Sequence, residues 1–231
     1  ETAAQCVEAA GDVPVVFVNR FPGDPSVLNE KAVYVGSDEM TSGAFQGEFL
    51  AKFFKDQGKT DISYLMLNGI LGQTSTTNRT ASVLKALEDN GIKATAAAAP
   101  LAADYDRATA MDMISPLLKT TKYDCIISNN DAMALGAVEA MQQQGLDPKS
   151  VPIVGIDATA DGRQAIKDGT LAMTVFQNAE GQGRASLQAA ANLIDGKPIA
   201  EGTGYEVDDE NEFIIWVPFE PVTVDNVADY D

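Results

Sequence analysis

The sequence predicts an α/β fold in which a parallel sheet carries helices on both faces. Two observations support this prediction. Short apolar runs rich in β-branched residues alternate along the chain with longer segments whose apolar residues recur at helical spacing. The joints between them carry glycine, aspartate, asparagine or serine, which end strands and cap helices. Repeated strand–helix units favour a parallel sheet, because each helix carries the chain back across one face of that sheet.

The predicted strands are short apolar runs. The first of them, VPVVFVN, has the nearly continuous hydrophobic character of a strand that is buried on both faces. In chain order the predicted strands are residues 13–19, 32–35, 62–68, 92–99, 123–129, 151–157 and 171–177. The tail EFIIWVPFEPVTVDNV predicts one more strand, which proline interrupts.

Helices are predicted after most of these strands, and glycine or proline limits several of them. One helix begins at a capping Ser37 or Asp38 and ends before Gly58. The helix NRTASVLKALEDNG stops at Gly91, and Pro116 kinks or shortens the helix in DYDRATAMDMISPLLKT. The other predicted helices are DAMALGAVEAMQQQG, ADGRQAIKDG and a long helix over residues 179–195.

The composition argues against several classes of function. The chain carries 34 acidic and 16 basic residues, a net charge of −18 that repels phosphate backbones, so nucleic-acid binding is not expected. It has no histidine, which removes Ser-His-Asp and Cys-His catalysis and imidazole metal sites. Cys6 and Cys125 are too few for a disulfide framework or a thiolate metal site, and Cys125 is predicted to be a small buried thiol.

Nothing in the sequence resembles a membrane-spanning segment or a leader. No apolar run approaches the roughly 20 residues that cross a bilayer, and no charged-then-apolar segment opens the chain. A mature secreted protein would also lack a leader, so this observation does not place the protein in the cytoplasm.

Short amide and carboxylate side chains follow four of the predicted strands. In an open parallel sheet, ligands bind beyond the carboxyl ends of the strands. One polar residue at each joint is expected to cap the next helix, and Asp131 is the predicted N-cap there. Any one of the others suits a turn as well as a ligand, but their recurrence favours a site that binds hydroxyl groups. The residues are Asn19, Asn129 with Asn130 and Asp131, Asp157, and Gln177 with Asn178.

Two further side chains are candidates for the same site. Arg79 follows the loop NGILGQTSTTN and offers a rigid fork of donors, although most arginines lie on solvated surfaces. Tyr105 follows IKATAAAAP and offers a ring face for the apolar side of a sugar, with a surface or packing role as the equal alternative.

Six segments resemble, in order, the bacterial galactose/glucose-binding proteins of ABC sugar importers. They are VPVVFVNR, AVYVGSDEMTSGAFQGEFLAK, LNGILGQTSTTNRTASVLKAL, IISNNDAMALGAVEAM, VPIVGIDATADGRQAIKDGTLAMTV and WVPFEPVTVDNVADY. The resemblance covers nearly the whole chain. The pair NNDAMALGAVEAM and VPIVGIDA is characteristic of this sugar-binding group and of the related effector domains of sugar-responsive repressors.

The resemblance implies the type I periplasmic-binding-protein fold, in which two Rossmann-like parallel-sheet lobes close over a sugar like a hinge. The three crossings of the hinge are expected near Ser37, Gln177 and 217–219. Members of the family begin with roughly 80–100 further residues, the size of a small domain, so the N-terminal lobe is expected to be incomplete in this chain. The expected N-terminal lobe is 1–37 with 178–216, and the C-terminal lobe is 38–177 with 217–231.

The resemblance also implies roles for single residues. Asn19 on one lobe matches a partner for a sugar hydroxyl. Arg79, Asn130 and Asp157 match polar contacts on the other lobe. Tyr105 stands where the family has a tryptophan that stacks on the sugar ring.

Departures from the family bear on specificity and on metal binding. Gln73 and Ser75 stand where the galactose/glucose members carry a histidine and an aspartate, and Gln177 replaces an asparagine. A changed polar partner alters which hydroxyl orientation is paired, so glucose or galactose is only the first candidate. The calcium loop of some members has no counterpart in KDQGKTDIS, so neither calcium nor any other metal or cofactor is expected.

The function that the resemblance implies is that of a receptor outside the membrane, in the periplasm or lipid-anchored on the cell surface. It would deliver a glucose- or galactose-like monosaccharide to an ABC-transporter permease. A chemoreceptor and a chain that supplies the missing N-terminal segment are left open as further partners. No enzymatic activity is expected.

Two alternatives are kept. The effector-binding domain of a sugar-responsive repressor would need a helix-turn-helix outside this chain and agrees poorly with the charge of −18. A sugar-processing enzyme would use Asp131 and Asp157 as paired carboxylates, but a helix cap and a hydroxyl acceptor explain both residues without chemistry.

Overall fold

The structure is a computed structural model and describes residues 2–230. They form two compact units. The smaller unit consists of the chain up to Asp38 together with Asn178–Pro218, and the larger unit consists of Glu39–Gln177 together with the chain from Phe219 onward. The chain therefore passes from one unit to the other three times.

Helices and strands alternate through most of the chain. The helices are α1 (Thr2–Ala10), α2 (Glu39–Lys55), α3 (Thr74–Asp89), α4 (Arg107–Ile114), α5 (Asp131–Gln143), α6 (Ala160–Asp168) and α7 (Ala179–Asp195). The strands are β1 (Val15–Val18), β2 (Ala32–Gly36), β3 (Asp61–Asn68), β4 (Lys93–Ala96), β5 (Leu101–Ala102), β6 (Cys125–Ser128), β7 (Ile153–Val154), β8 (Thr174–Gln177), β9 (Glu206–Val207), β10 (Ile214–Trp216) and β11 (Phe219–Val222). None of the helices among residues 2–230 combines the length and apolar character needed to cross a membrane.

The smaller unit is built on one sheet with the strand order β1–β2–β10–β9. The first three strands are parallel, and β9 runs antiparallel to β10. The strand β2 is buried along its whole length because it has a partner on each side. Helix α7 packs on this sheet through Ala185 and Ala189, which meet Val35 and Ile215 in a small apolar core.

The larger unit is built on a parallel sheet with the order β4–β3–β6–β7, and β5 pairs in parallel with the last residues of β3. Alternate side chains of a strand point to opposite faces of a sheet. Leu65 and Leu67 therefore join one core with α4, α5 and α6, while Tyr64 and Met66 join the other core with α2 and α3. Strand β8 lies beside β7 and pairs with β11 in an antiparallel ribbon. The predicted α/β fold with parallel sheets and helices on both faces is confirmed.

Several predicted boundaries are also confirmed. The last long helix spans Ala179–Asp195 as predicted. Helix α4 ends at Ile114, two residues before Pro116, because proline cannot supply the N–H that a continuing helix needs. Cys125 is a buried free thiol in β6.

Other predicted boundaries were wrong. The predicted strand 151–157 is only two residues long, Ile153–Val154, and Asp157 forms no more than an isolated bridge with Phe176. The predicted strand 92–99 divides into β4 and β5. Helix α3 begins at Thr74, four residues before the predicted Asn78. The prediction omitted the first turn, which consists of threonine and serine, weak helix formers that give little sign of a helix in the sequence.

Candidate functional site

Polar residues gather at the carboxyl edge of the sheet in the larger unit. Strand β3 ends at Asn68, strand β6 is followed by Asn129 and Asn130, and Asp157 follows β7. The backbone N–H of Asn129 donates to the carbonyl of Leu67 at 2.9 Å, so the ends of β3 and β6 lie side by side. This is the edge at which an open parallel sheet binds its ligands.

Arg79 reaches this edge from the second turn of α3. Its Nε and Nη2 donate to the two carboxylate oxygens of Glu39 at 2.6 and 3.0 Å, and Nη1 donates to the carbonyl of Asn129 at 2.7 Å. Burial lowers the pKa of the guanidinium, but the Glu39 carboxylate more than offsets it, so the pKa of Arg79 lies above its ordinary value. Arg79 is therefore a fixed positive charge whose orientation Glu39 sets.

Asp157 carries the carboxylate that is best placed for a ligand. Its side chain is partly exposed, and no described residue donates a hydrogen bond to it. Arg79 Nη1 lies 3.9 Å from its Oδ1, too far for such a bond. Burial raises the pKa of Asp157 to about 7; Arg79 lowers the pKa, while Asp131 and Glu39 raise it. An acceptor of this kind needs donors from outside the chain.

The backbone at this position is strained. Asp157 and Ala158 have φ values of 116° and 49°, in the left-handed region that side chains other than glycine seldom adopt. Strain of this kind persists only where the surrounding structure over-determines it, and it is concentrated at functional sites.

Asp131 supplies that restraint. It is fully buried: its Oδ1 accepts from Thr174 Oγ1 at 2.6 Å, and its Oδ2 accepts from the N–H and the hydroxyl of Thr159 at 2.8 and 3.2 Å. Its own N–H donates to the carbonyl of Ile156 at 2.7 Å. Burial raises the pKa of Asp131 to about 6, although the bonds from Thr174 and Thr159 lower it. Asp131 thus fixes both ends of the strained 157–158 segment.

The prediction that Asp131 is the N-cap of the following helix was wrong. Asn130 is the N-cap of α5, since its side-chain oxygen accepts from the N–H of Met133 at 3.0 Å. The short Asn side chain in extended backbone satisfies the first turn, which leaves the next residue pointing inward. Asn130 Nδ2 also donates to the carbonyl of Tyr105 at 3.4 Å, and the side chain is buried but for 8%.

Tyr105 is held at the same edge by its hydroxyl. That hydroxyl lies 2.8 Å from both Ser75 Oγ and Thr76 Oγ1, so it ties the loop before α4 to the first turn of α3. The ring packs so closely over Gly69 that a Cβ on that residue would collide with it. The Tyr105 ring therefore packs against Gly69 and lies at the carboxyl edge of the sheet.

The remaining candidates of the larger unit lie at the ends of elements. Gln73 occupies the N-cap position of α3, but its side chain makes no capping hydrogen bond. Gln177 is the last residue of β8, and its N–H donates to the carbonyl of Asp157 at 3.4 Å. The larger unit therefore links Ser75, Tyr105 and Asn130 in one chain of contacts beside the Arg79–Asp157 pair.

Asn19 belongs to the smaller unit and lies in a separate amide cluster. It follows β1 with φ 63°, and its Nδ2 donates to Gln182 Oε1 at 3.1 Å. Gln182 is buried and donates in turn to Ser37 Oγ at 2.8 Å. The hydroxyl of Tyr34 donates to the carbonyl of Asn19 at 2.7 Å.

Sequence reasoning missed Glu39, Asn129 as a structural link, and Gln182. Asn129 was noted at its strand end, but its amide is used inside the protein: Oδ1 accepts from Gly69 N–H at 3.1 Å. The signal for Glu39 was an acidic residue in the first turn of a helix that directly follows a strand. Among residues 2–230, no group of three or more Cys, Asp or Glu side chains is arranged to hold a metal ion.

Comparison with known proteins identifies the class to which this fold and site belong. Residues 2–198 match the family described as the periplasmic binding protein domain, and the chain belongs to that family. It is 36% identical over 95% of its length to the D-galactose/methyl-galactoside binding periplasmic protein MglB of Haemophilus influenzae, of which it covers 67%. It is 32% identical over 99% of its length to a putative rhizopine-binding protein of Rhizobium meliloti, of which it covers 69%.

Solved structures agree with this assignment. An ABC transporter solute binding protein from Bacillus halodurans C-125 with bound myo-inositol matches 99% of this chain with a TM-score of 0.79 and 29% identity. This chain covers 73% of that protein. The chain thus spans about two thirds to three quarters of the proteins that it resembles. By their names, these relatives are binding proteins for a galactoside and a rhizopine and the solute binding protein of an ABC transporter.

Proposed function

We propose that the protein is the solute-binding receptor of an ABC importer and that it binds a monosaccharide at the carboxyl edge of the larger sheet. The single observation that carries this proposal is the Asp157 carboxylate, which accepts no hydrogen bond from any described residue. A carboxylate accepts from two neighbouring hydroxyls, as a sugar presents them. The strained backbone that presents Asp157 supports the same conclusion.

The neighbouring residues complement this acceptor. Arg79 has five N–H groups, three of which are bonded to Glu39 and Asn129, so two remain for a ligand. Asn130 is proposed as a further donor, since its Nδ2 makes one hydrogen bond, to the carbonyl of Tyr105. The Tyr105 ring offers an apolar face to a sugar. Asn19 is proposed as a further ligand residue on the resemblance to the family.

Gln73, Ser75 and Gln177 are proposed to set the specificity. Ser75 is bonded to the Tyr105 hydroxyl, so a neutral pair stands where the galactose/glucose members have a carboxylate. Glucose or galactose is the first candidate ligand, and the relatives named above widen the set to other polyols.

The proposal includes a location and a partner. The MglB relative is a periplasmic protein and the Bacillus halodurans relative belongs to an ABC transporter, which supports an extracytoplasmic location for this protein, in the periplasm or on a lipid anchor. The proposed partner is the permease of such an importer.

The structure supports binding over sugar hydrolysis. A glycosidase needs two carboxyl groups that face the substrate. The two oxygens of Asp131 are fully buried and engaged by Thr174 and Thr159, so that side chain is not available to a ligand beside Asp157.

The test is titration calorimetry with D-glucose, D-galactose, D-ribose and myo-inositol. At least one of them is expected to bind, and Asp157→Ala is expected to weaken that binding by about 100-fold, because the ligand's donors lose their charged acceptor. The matched control is Asp112→Ala, which removes an exposed carboxylate from α4 and should leave the affinity unchanged. Equal affinities for wild type and Asp157→Ala would refute the proposed site.

A further inference from the structure

Glu39 is an acidic residue that orients Arg79 at the proposed site and has no assigned contact with the ligand. It opens α2, its side chain is 11% exposed, and both of its oxygens are bonded to Arg79. The two bonds form the bidentate fork that fixes a guanidinium in one plane. Ser42 Oγ donates to the carbonyl of Glu39 at 2.9 Å, which holds the first turn of α2 in place.

This contact changes what Arg79 is able to bind. An unpaired buried guanidinium would be a receptor for a carboxylate or a phosphate, because its fork matches their two oxygens. Here the Nε/Nη2 edge, one of the two edges that can form such a fork, is already taken by Glu39. Nη1 also donates to the carbonyl of Asn129, so one N–H of Nη1 and one of Nη2 are left as donors for hydroxyl or ether oxygens.

The net charge at the carboxyl edge of the sheet also disfavours an anionic ligand. The charges that act on Asp157 are the Arg79 guanidinium and the carboxylates of Glu39 and Asp131. Together with Asp157 itself, three acidic groups surround one guanidinium. As long as Glu39 is ionised, the net charge of these four groups is therefore zero or negative. A ligand that brings a further negative charge would meet like charges in a desolvated site, and that juxtaposition costs several kcal/mol.

We propose that Glu39 is a specificity-determining residue, because it occupies the Nε/Nη2 edge of Arg79. The site then accepts uncharged or amino-substituted sugars and rejects sugar acids and sugar phosphates. This inference rests on the proposed function. An ammonium group on the ligand gains a carboxylate partner in Asp157, whereas a carboxylate on the ligand finds Arg79 already neutralised.

The experiment compares ligands that differ only in charge at one carbon. Titration calorimetry at pH 7.5 uses D-glucose, 6-amino-6-deoxy-D-glucose and D-glucuronate. The corresponding three derivatives of D-galactose form a second set. Glucosamine is added as a sugar with its amine at a different carbon. For the wild type we expect the amines to bind at least as tightly as the uncharged sugar. We expect the uronate to bind about tenfold or more weakly.

Glu39→Gln removes the charge and keeps the size of the side chain. In this variant the ratio of the affinity for the uncharged sugar to the affinity for the uronate is expected to fall by about tenfold. The ratio of the affinity for the amine to that for the uncharged sugar is expected to fall as well. Glu48→Gln is the matched control, since it removes one charge from an exposed position of the same helix. It should leave all ratios unchanged. Thermal unfolding of each variant shows whether it is folded.

The outcomes separate the inference from the proposed function. An equal loss of affinity for all three ligands in Glu39→Gln would mean that Glu39 only supports the structure, and it would overturn the inference while leaving sugar binding intact. A wild type that binds the uronate as tightly as the uncharged sugar would also overturn it, even if Glu39→Gln does not fold. If none of the sugars tested here or above binds, both proposals fail.

Discussion

At the scale of single residues, the site depends on the Asp157 carboxylate, which accepts no hydrogen bond from any described residue. Asp157 lies three residues after the two-residue strand β7, in left-handed backbone. Arg79 is close enough to attract it but not to bond it. A group in this state has a raised pKa, because burial disfavours its charge more than the single guanidinium favours it.

This state predicts how sugar affinity depends on pH. A ligand that donates hydroxyl hydrogens to Asp157 requires its ionised form, and the free protein holds the pKa at about 7. Affinity should therefore rise by about tenfold between pH 6 and pH 8, as the ionised fraction of a group with that pKa rises from about one tenth to about nine tenths. Calorimetric titration across this range is the measurement.

Two features of the result distinguish Asp157 from its neighbours. Asp157→Asn should bind weakly with little pH dependence over the same range, although Asp131, Glu39 and Arg79 are all still present. The unfolding free energy carries the opposite sign: the folded form holds its proton to higher pH than the unfolded chain, so the contribution of Asp157 to stability falls as pH rises from about 4 to about 7. An affinity that falls from pH 6 to pH 8 would contradict this role.

At the scale of elements, one buried side chain connects β6, the loop after β7, and β8. Asp131 follows β6 and binds Thr159 and Thr174, and it approaches the first turn of α6 so closely that a Cβ on Gly162 would collide with its carboxylate. Thr174 in addition accepts from the N–H of Ala158 at 3.2 Å. The loop that carries Asp157 is therefore shaped from inside by Asp131.

This role predicts a large difference between two adjacent substitutions. Asn130→Ala removes an N-cap and should destabilise the protein by about 1 kcal/mol. Asp131→Ala breaks a buried network and should cost about 3 kcal/mol, since three donors lose their acceptor. Urea denaturation of both variants measures the difference. Asp106→Ala, which removes the exposed N-cap of α4, is the control for an ordinary cap.

Affinity provides the second readout for this pair. Asp131→Ala is also expected to weaken sugar binding, because the 157–158 segment loses its restraint. Equal destabilisation by Asn130→Ala and Asp131→Ala would show that Asp131 is no more than part of the cap.

The elements also show what the sequence could and could not predict. The predicted bounds of helix α7 agree with the structure, in which Asn178 caps the start of the helix and Gly196 ends it in left-handed backbone. The cap of α5 was assigned to the wrong residue because two adjacent polar residues, Asn130 and Asp131, are both good caps. Only the packing of β7 and β8 against them decides which side chain turns inward.

At the scale of the whole molecule, the strand ends of the larger sheet were predictable as a polar edge, because parallel strands bring their carboxyl ends together. Which side chains pair with one another at that edge was not predictable from the sequence. The bond between Glu39 and Arg79 joins two helices whose first turns are 35 residues apart in the sequence, counting from Glu39 to Thr74, and no local pattern encodes it. The chain divides into two compact units and passes between them three times. The three hinge crossings near Ser37, Gln177 and 217–219 that the resemblance implies stay a prediction.

The central claim is that Asp157 and Arg79 at the edge of the larger sheet hold a sugar. A crystal structure of the protein with the tightest-binding sugar of the calorimetric panel tests it most directly. We predict sugar hydroxyls within hydrogen-bond distance, about 2.6–3.2 Å, of the Asp157 carboxylate and of a free Arg79 N–H, with Glu39 still bonded to the far edge of the guanidinium. A sugar bound elsewhere, with Asp157 left without a donor, would contradict the account.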